Sequence, residues 1–115
     1  LVDVKTAANA DPRALPRVVL ERGYDLQDAH YRETGARLGL DAGTFAFVFV
    51  EKDPPHLVTV CQLDGDFIAR GRRRVRAAIE RYRDCVAADQ WPGYIHNFTT
   101  LTMPRWAEDG IEVLG

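Results

Sequence analysis

The chain has 115 residues, 46% of them apolar and 28% charged, and a formal net charge of −2. This is the ordinary composition of one small globular domain, and it excludes a disordered tail, a collagen-like fibre and a coiled coil. The longest apolar run, Phe45 to Val50, is far short of the ~20 residues a membrane span needs, so no membrane partner is expected.

The first predicted element is a strand, because Leu1-Val2-Asp3-Val4-Lys5-Thr6 alternates apolar and polar residues. It starts without a methionine or a leader, so residue 1 is read as not the natural start. A first helix follows, with Asp11 as its N-cap, Pro12 at its first position and Gly23 as its stop. A second helix starts at Tyr24-Asp25, with Asp25 as cap, and runs to about Leu38. Thr44 to Val50 is β-branched and aromatic and reads as a buried central strand. After the Asp53-Pro54-Pro55 break, His56 to Leu63 alternates and reads as its antiparallel neighbour.

Asp64 or Asp66 caps a long helix over about Phe67 to Ala88. Ile68, Gly71, Val75, Ala78, Ile79, Tyr82 and Val86 recur at spacings of three and four and form one apolar stripe for the core. This segment carries seven arginines against Glu80 and Asp84, a local charge of +5 that leaves −7 on the remainder. A stripe of this kind contacts phosphates or is simply solvated and paired with carboxylates. Trp91-Pro92-Gly93-Tyr94 reads as a turn, Thr99 to Met103 as a last short strand, and residues 108–115 as a loosely held tail. Trp91, Tyr94 and Trp106 either stack on bases or pin a terminus onto the core. Cys61 and Cys85 have neither metal-finger spacing nor the numbers of a disulfide framework. They read as free, buried thiols in a reducing, cytoplasmic setting.

Residues i and i+2 of a strand share a face, so Asp3 and Lys5 lie side by side, about 7 Å apart along it. A carboxylate and an ammonium so placed can hold a hard divalent ion and steer an attacking water, or they form a solvated edge pair. Gln27 and Tyr31, at i and i+4, share a helix face with His30 close by, and their polar tips suit phosphate oxygens. Taken singly, Gln27 is equally a surface residue and Tyr31 a packed ring with a wet hydroxyl. Glu51, at the end of the apolar strand, sits near a metal or forms a surface pair with Lys52, and His56 and His96 are structural or exposed.

In this order, Asp3-Val4-Lys5 on a strand and Gln27-x-x-x-Tyr31 on a helix resemble the PD-(D/E)xK nuclease superfamily, and within it the RecB-type branch. Tyr24 to Tyr31, Phe47 to Pro55, Trp91 to Tyr94 and Leu101 to Trp106 sharpen the likeness. They are similar to the catalytic domain of exodeoxyribonuclease VIII, the RecE-like phage and prophage exonucleases, over residues 1 to 107. The resemblance implies an α/β fold with a mixed central sheet flanked by helices, a restriction-endonuclease-like core. It also implies a Mg2+-dependent exonuclease, with Mn2+ as substitute, that digests linear double-stranded DNA in phage-type recombination. Asp3, Lys5, Gln27 and Tyr31 would be catalytic, Asp3 and the Val4 carbonyl metal ligands, and Arg70, Arg73, Arg74 and Arg81 DNA contacts. A homo-oligomer and a single-strand annealing protein are the partners it brings. Family members carry a further acidic ligand on an earlier strand and a histidine or glutamate on a still earlier helix, and only two residues precede Asp3 here. Residues 1–107 are therefore expected to be the C-terminal portion of a nuclease domain lacking its N-terminal elements, inactive alone. The competing readings are a non-catalytic DNA-binding or assembly module with a nuclease fold, and another nuclease of the superfamily such as an endonuclease.

Overall fold

The computed structural model describes residues 1–41 and 43–107; the expected tail at 108–115 lies outside them. The element order is β1 (Val2–Ala7), α1 (Leu15–Arg22), α2 (Tyr24–Arg37), β2 (Ala46–Glu51), β3 (Val58–Cys61) and α3 (Gly65–Ala88), closed by a short 3-10 turn at Arg105–Ala107. The described chain forms two compact units, Leu1–Asp84 and a second from Cys85 onward, with α3 running from one into the other. No helix among the described residues is long and apolar enough to cross a membrane.

The sheet has the order β1-β2-β3. β1 and β2 are parallel, with Asp3 opposite Phe47 and Lys5 opposite Phe49, and β2 and β3 are antiparallel. A parallel pair needs a crossover, and α1 and α2 supply it. The arrangement is a mixed α/β sheet with three helices, as the sequence leads one to expect.

The first helix begins later than its sequence signals indicate. Residues 12–14 form a turn in which the Asp11 carbonyl accepts from the N–H groups of Ala14 and Leu15, and α1 starts at Leu15. Pro16 explains the shift. A helix begun at Pro12 would hold Pro16 in its interior, where the ring clashes with the carbonyl four residues back, whereas in the first turn it costs nothing. Asp11 accepts from the Arg13 N–H instead of capping a helix. Gly23 ends α1 with φ 71°, the left-handed conformation that favours glycine, and serves at once as N-cap of α2. Asp25 is consequently not a cap; its side chain is turned inward. Of the two residues read as caps of the long helix, Asp64 does the work, accepting from the Phe67 N–H at 3.0 Å.

One sheet face carries Phe47, Phe49, Ala7 and half-buried Cys61, continued by Phe45 before β2 and Leu63 after β3. Leu15 and Val19 of α1 complete this core, and Tyr24, Phe67 and Ile68 pack against it. The three phenylalanines form a row with centroids 4.8 and 5.9 Å apart, an offset geometry that rings prefer. The opposite face is just as apolar and is uncovered: Val2, Val4, Val58 and Val60 are 70%, 65%, 56% and 67% exposed. β2 is thus central but buried on one face. The apolar stripe of α3 is similarly divided, for Gly71 and Val75 are buried while Ile79 and Tyr82 are exposed. The segments expected as a turn at Trp91–Tyr94 and a strand at Thr99–Met103 are irregular, because Pro92 and Pro104 remove backbone donors and no neighbouring strand is paired with them among the described residues.

Candidate functional site

On β1 the odd-numbered side chains point to the helical side of the sheet, which brings Asp3 and Lys5 together. The Lys5 ammonium lies 2.8 Å from Asp3 Oδ2, and both side chains are mostly buried. Gln27, on the first turns of α2, donates through Nε2 to the same Asp3 oxygen at 3.4 Å. Lys5 Nζ also sits over the Tyr24 ring, 4.5 Å from its centroid, a cation–π contact that restricts the ammonium further. Tyr24 is held by Phe47 and Phe49, at 5.9 and 6.1 Å. The aromatic row of β2 is therefore the floor on which the charged cluster stands.

This geometry fixes what the cluster can do. Lys5 has three N–H donors, of which Asp3 engages one direction, so the ammonium is aimed and still has hydrogen bonds to give. Asp3 Oδ2 takes both Lys5 and Gln27, and Oδ1 accepts from no described residue. A pre-aimed cation beside a carboxylate with one free oxygen suits stabilisation of negative charge on a phosphoryl group.

Other expected residues fall elsewhere. Tyr31 is exposed and lies 6.0 Å from Phe45 and 6.3 Å from His30, ring to ring, with no polar partner among the described residues. The Val4 side chain faces the uncovered side of the sheet. Glu51 does not pair with Lys52; its Oε1 accepts from the Ala10 N–H at 3.0 Å and ties the start of the α1 segment to the end of β2. His56 binds the Glu51 carbonyl through Nδ1, and Tyr94 and Trp106 are exposed in the second unit. Cys61 and Cys85 are free but only half-buried, because β3 is an edge strand and Cys85 lies past the buried turns of α3.

Two of the four arginines put forward as DNA contacts have an internal partner. Arg70 and Arg74, one turn apart on α3, both donate through Nη1 to the carboxylate of Asp25, one to each oxygen, with the Arg74 contact at 2.9 Å. Asp25 is wholly buried, so the pair of guanidiniums is what lets a carboxylate stay inside. Gly71 lies between them where α3 crosses α2: a Cβ there would stand 2.1 Å from the Asp25 carbonyl oxygen and 3.2 Å from Ala29 Cβ. Arg73 and Arg81 are exposed and form no ion pair with any described residue. A second buried carboxylate, Asp28, pairs with Arg32, whose Nη1 donates onward to the Gly43 carbonyl at 2.7 Å. Asp28 Oδ2 is buried with no hydrogen-bond partner among the described residues.

Sequence reasoning missed Tyr24 and Asp25 as functional neighbours. Tyr24 stands three residues before Gln27, and that spacing puts both on one helical face; Asp25 gives no local signal, since its partners are 45 and 49 residues away.

A family model described as a PDDEXK-like domain of unknown function (DUF3799) matches residues 1–101. The chain belongs to this PDDEXK-like family. The match covers the three strands and the three α-helices and carries the Asp3–Lys5–Gln27 cluster with it. It supports the PD-(D/E)xK superfamily and a nuclease-type fold. None of the curated proteins matches the chain.

PDDEXK nucleases generally work with divalent metal ions. Among the described residues no three His, Cys, Asp or Glu side chains come together in a metal-binding group. Asp3 is the single carboxylate of the cluster, and one of its oxygens is shared by Lys5 and Gln27. Mg2+ demands six oxygens in near-octahedral array. Asp3 and the Val4 carbonyl do not by themselves make that site.

Proposed function

We propose that this protein is a metal-dependent exodeoxyribonuclease of the RecE-like kind, hydrolysing phosphodiester bonds at the ends of linear double-stranded DNA. The observation that carries the reading is the contact cluster Asp3–Lys5–Gln27 on a PDDEXK-like chain. Lys5 hydrogen-bonds a phosphate oxygen as charge builds on it, and its position over Tyr24 keeps it from swinging away. Gln27 holds Asp3 in register with Lys5. Tyr31, exposed on the same helix, offers its hydroxyl to the DNA backbone. The reading includes Mg2+ or Mn2+ with Asp3 as one ligand among others, a homo-oligomeric assembly, and a single-strand annealing protein that takes the product strand.

The natural full-length polypeptide is incubated with Mg2+, with and without chelator, on an end-labelled linear duplex and on a covalently closed circle. Loss of the linear substrate with the circle intact, abolished by Asp3→Ala and by Lys5→Ala, supports the exonuclease. Nicking of the circle replaces it with an endonuclease of the superfamily. DNA binding without hydrolysis of either substrate favours the second reading, a non-catalytic module with a nuclease fold, for which the lone carboxylate speaks.

A further inference from the structure

Past the close approach at Gly71, α2 and α3 part to leave a groove of about 790 Å3. Four guanidiniums line it, Arg32 from α2 and Arg72, Arg76 and Arg83 from α3, with Glu33 and Glu80 as the acidic residues. Their states differ. Arg32 is committed to buried Asp28, and Glu33 is bound to Arg37 at 3.1 Å. Arg72, Arg76 and Arg83 make no hydrogen bond and no ion pair with any described residue. Glu80 stands four residues after Arg76 and three before Arg83, the helical spacings at which ion pairs form, and pairs with neither. Elsewhere in the first unit Arg13, Arg17, Arg37, Arg70 and Arg74 reach a carboxylate, while Arg22, Arg73 and Arg81 pair with no described carboxylate and do not line the groove.

We propose that this groove binds the phosphodiester backbone of a nucleic-acid strand through Arg72, Arg76 and Arg83, apart from the Asp3–Lys5 cluster. Guanidinium is the side chain best suited to phosphate, because its donors form a planar fork. The spread of the three charges distinguishes a polymer from a small phosphorylated ligand. Arg72 and Arg83 are eleven residues apart on α3, which is about 16 Å of helix at 1.5 Å per residue. One strand of duplex DNA carries roughly five phosphates over that axial length. The groove contains no aromatic ring, so it offers no platform for stacked bases and reads the backbone without regard to sequence. The inference does not rest on hydrolysis, and its set of arginines differs from the four that the sequence singles out.

The test is fluorescence anisotropy of a labelled duplex and of its single strand, each titrated with the protein in chelator across about 50 to 200 mM salt, the range over which phosphate contacts show. Arg72→Ala/Arg76→Ala/Arg83→Ala is compared with wild type and with Arg17→Ala/Arg37→Ala, whose arginines are already paired. For the groove triple the slope of log Kobs against log salt becomes shallower by about 2 to 3, at roughly 0.7 to 0.9 per lost contact. That change appears in the duplex arm, the single-strand arm or both, and identifies which backbone the groove takes. The paired-arginine control leaves the slope unchanged. A triple variant with the wild-type slope in both arms, or a wild type that binds neither probe, overturns the proposal. If the alanine triple unfolds by circular dichroism, the glutamine triple keeps the side-chain stems and carries the same expectation. The nuclease reading is scored separately, by cleavage with Mg2+: loss of groove binding with Asp3-dependent cleavage retained, or the reverse, tells the two apart.

Discussion

Gly71→Ala is the substitution that most directly tests how α3 is seated. By helix propensity alone it stabilises by about 1 kcal/mol, since glycine is the poorer helix former. The surroundings reverse the sign. The new methyl would lie 2.1 Å from the Asp25 carbonyl oxygen and 2.7 Å from its carbon, against an ordinary separation of roughly 3.5 Å. The obstacle is backbone inside a helix, which cannot rotate aside as a side chain would. α3 must therefore retreat from α2 by about 1 Å or more. Arg70 and Arg74 flank Gly71 and retreat with it, so their bonds to buried Asp25 lengthen out of hydrogen-bonding range. Overpacking costs about 1–3 kcal/mol, and weakening two charge-assisted hydrogen bonds costs about 2–4 kcal/mol more. Set against the propensity gain, the net loss is about 2–6 kcal/mol. Urea denaturation reads it out: with a slope of about 1.5 kcal/mol per molar for a chain this small, the midpoint falls by about 1–4 M. Gly65→Ala is the control, because nothing lies within 4 Å of a Cβ there, and its midpoint holds or rises slightly. A Gly71→Ala midpoint equal to or above wild type refutes the close seating of α3 on α2.

Arg32→Ala strips the last partner from buried Asp28 and loosens the Gly43 segment; the expected loss is about 3–5 kcal/mol by urea denaturation, and Asp28→Asn on that background recovers part of it. The side chain and backbone N–H of Arg13 hold the Asp11 carboxyl below its ordinary value near 3.8. A depressed folded pKa stabilises above the unfolded value and is lost as pH falls through the folded one. Asp11→Asn therefore lowers Tm at neutral pH, and the gap from wild type closes on acidification. Burial pushes the Cys61 thiol up from its ordinary value near 9.0; its alkylation by iodoacetamide, followed by peptide mass spectrometry, is slower in the folded chain than after unfolding in urea, and quickens as pH is raised.

The strands and the long helix were legible because each depends on a local period. Alternation in Leu1–Thr6 and His56–Leu63 placed Asp3 beside Lys5 on one face and set the antiparallel partner of β2. The start of α1 was harder to place, since Asp11-Pro12 and Pro16 signal different first turns and only the constraint of Pro16 on the helix interior decides between them. What could not be read locally was the purpose of charge. Asp25 has every attribute of a cap, yet its two cations come from another helix. Arg70 and Arg74 look like their neighbours Arg72 and Arg76, and the face of α3 on which each stands separates an internal strut from a groove wall. Tyr24 beneath Lys5 is a third such case: the strand placed Lys5, but the ring that confines it comes from the helix across the sheet.

The valine face has a bearing on how the protein behaves in water. Val2 and Val4 on β1 and Val58 and Val60 on β3 expose greasy surface on either side of the central strand, and water favours whatever removes it. A net charge of −2 gives little long-range repulsion to oppose that contact. Self-association is therefore favoured through side chains that play no part in the chemistry of the cluster.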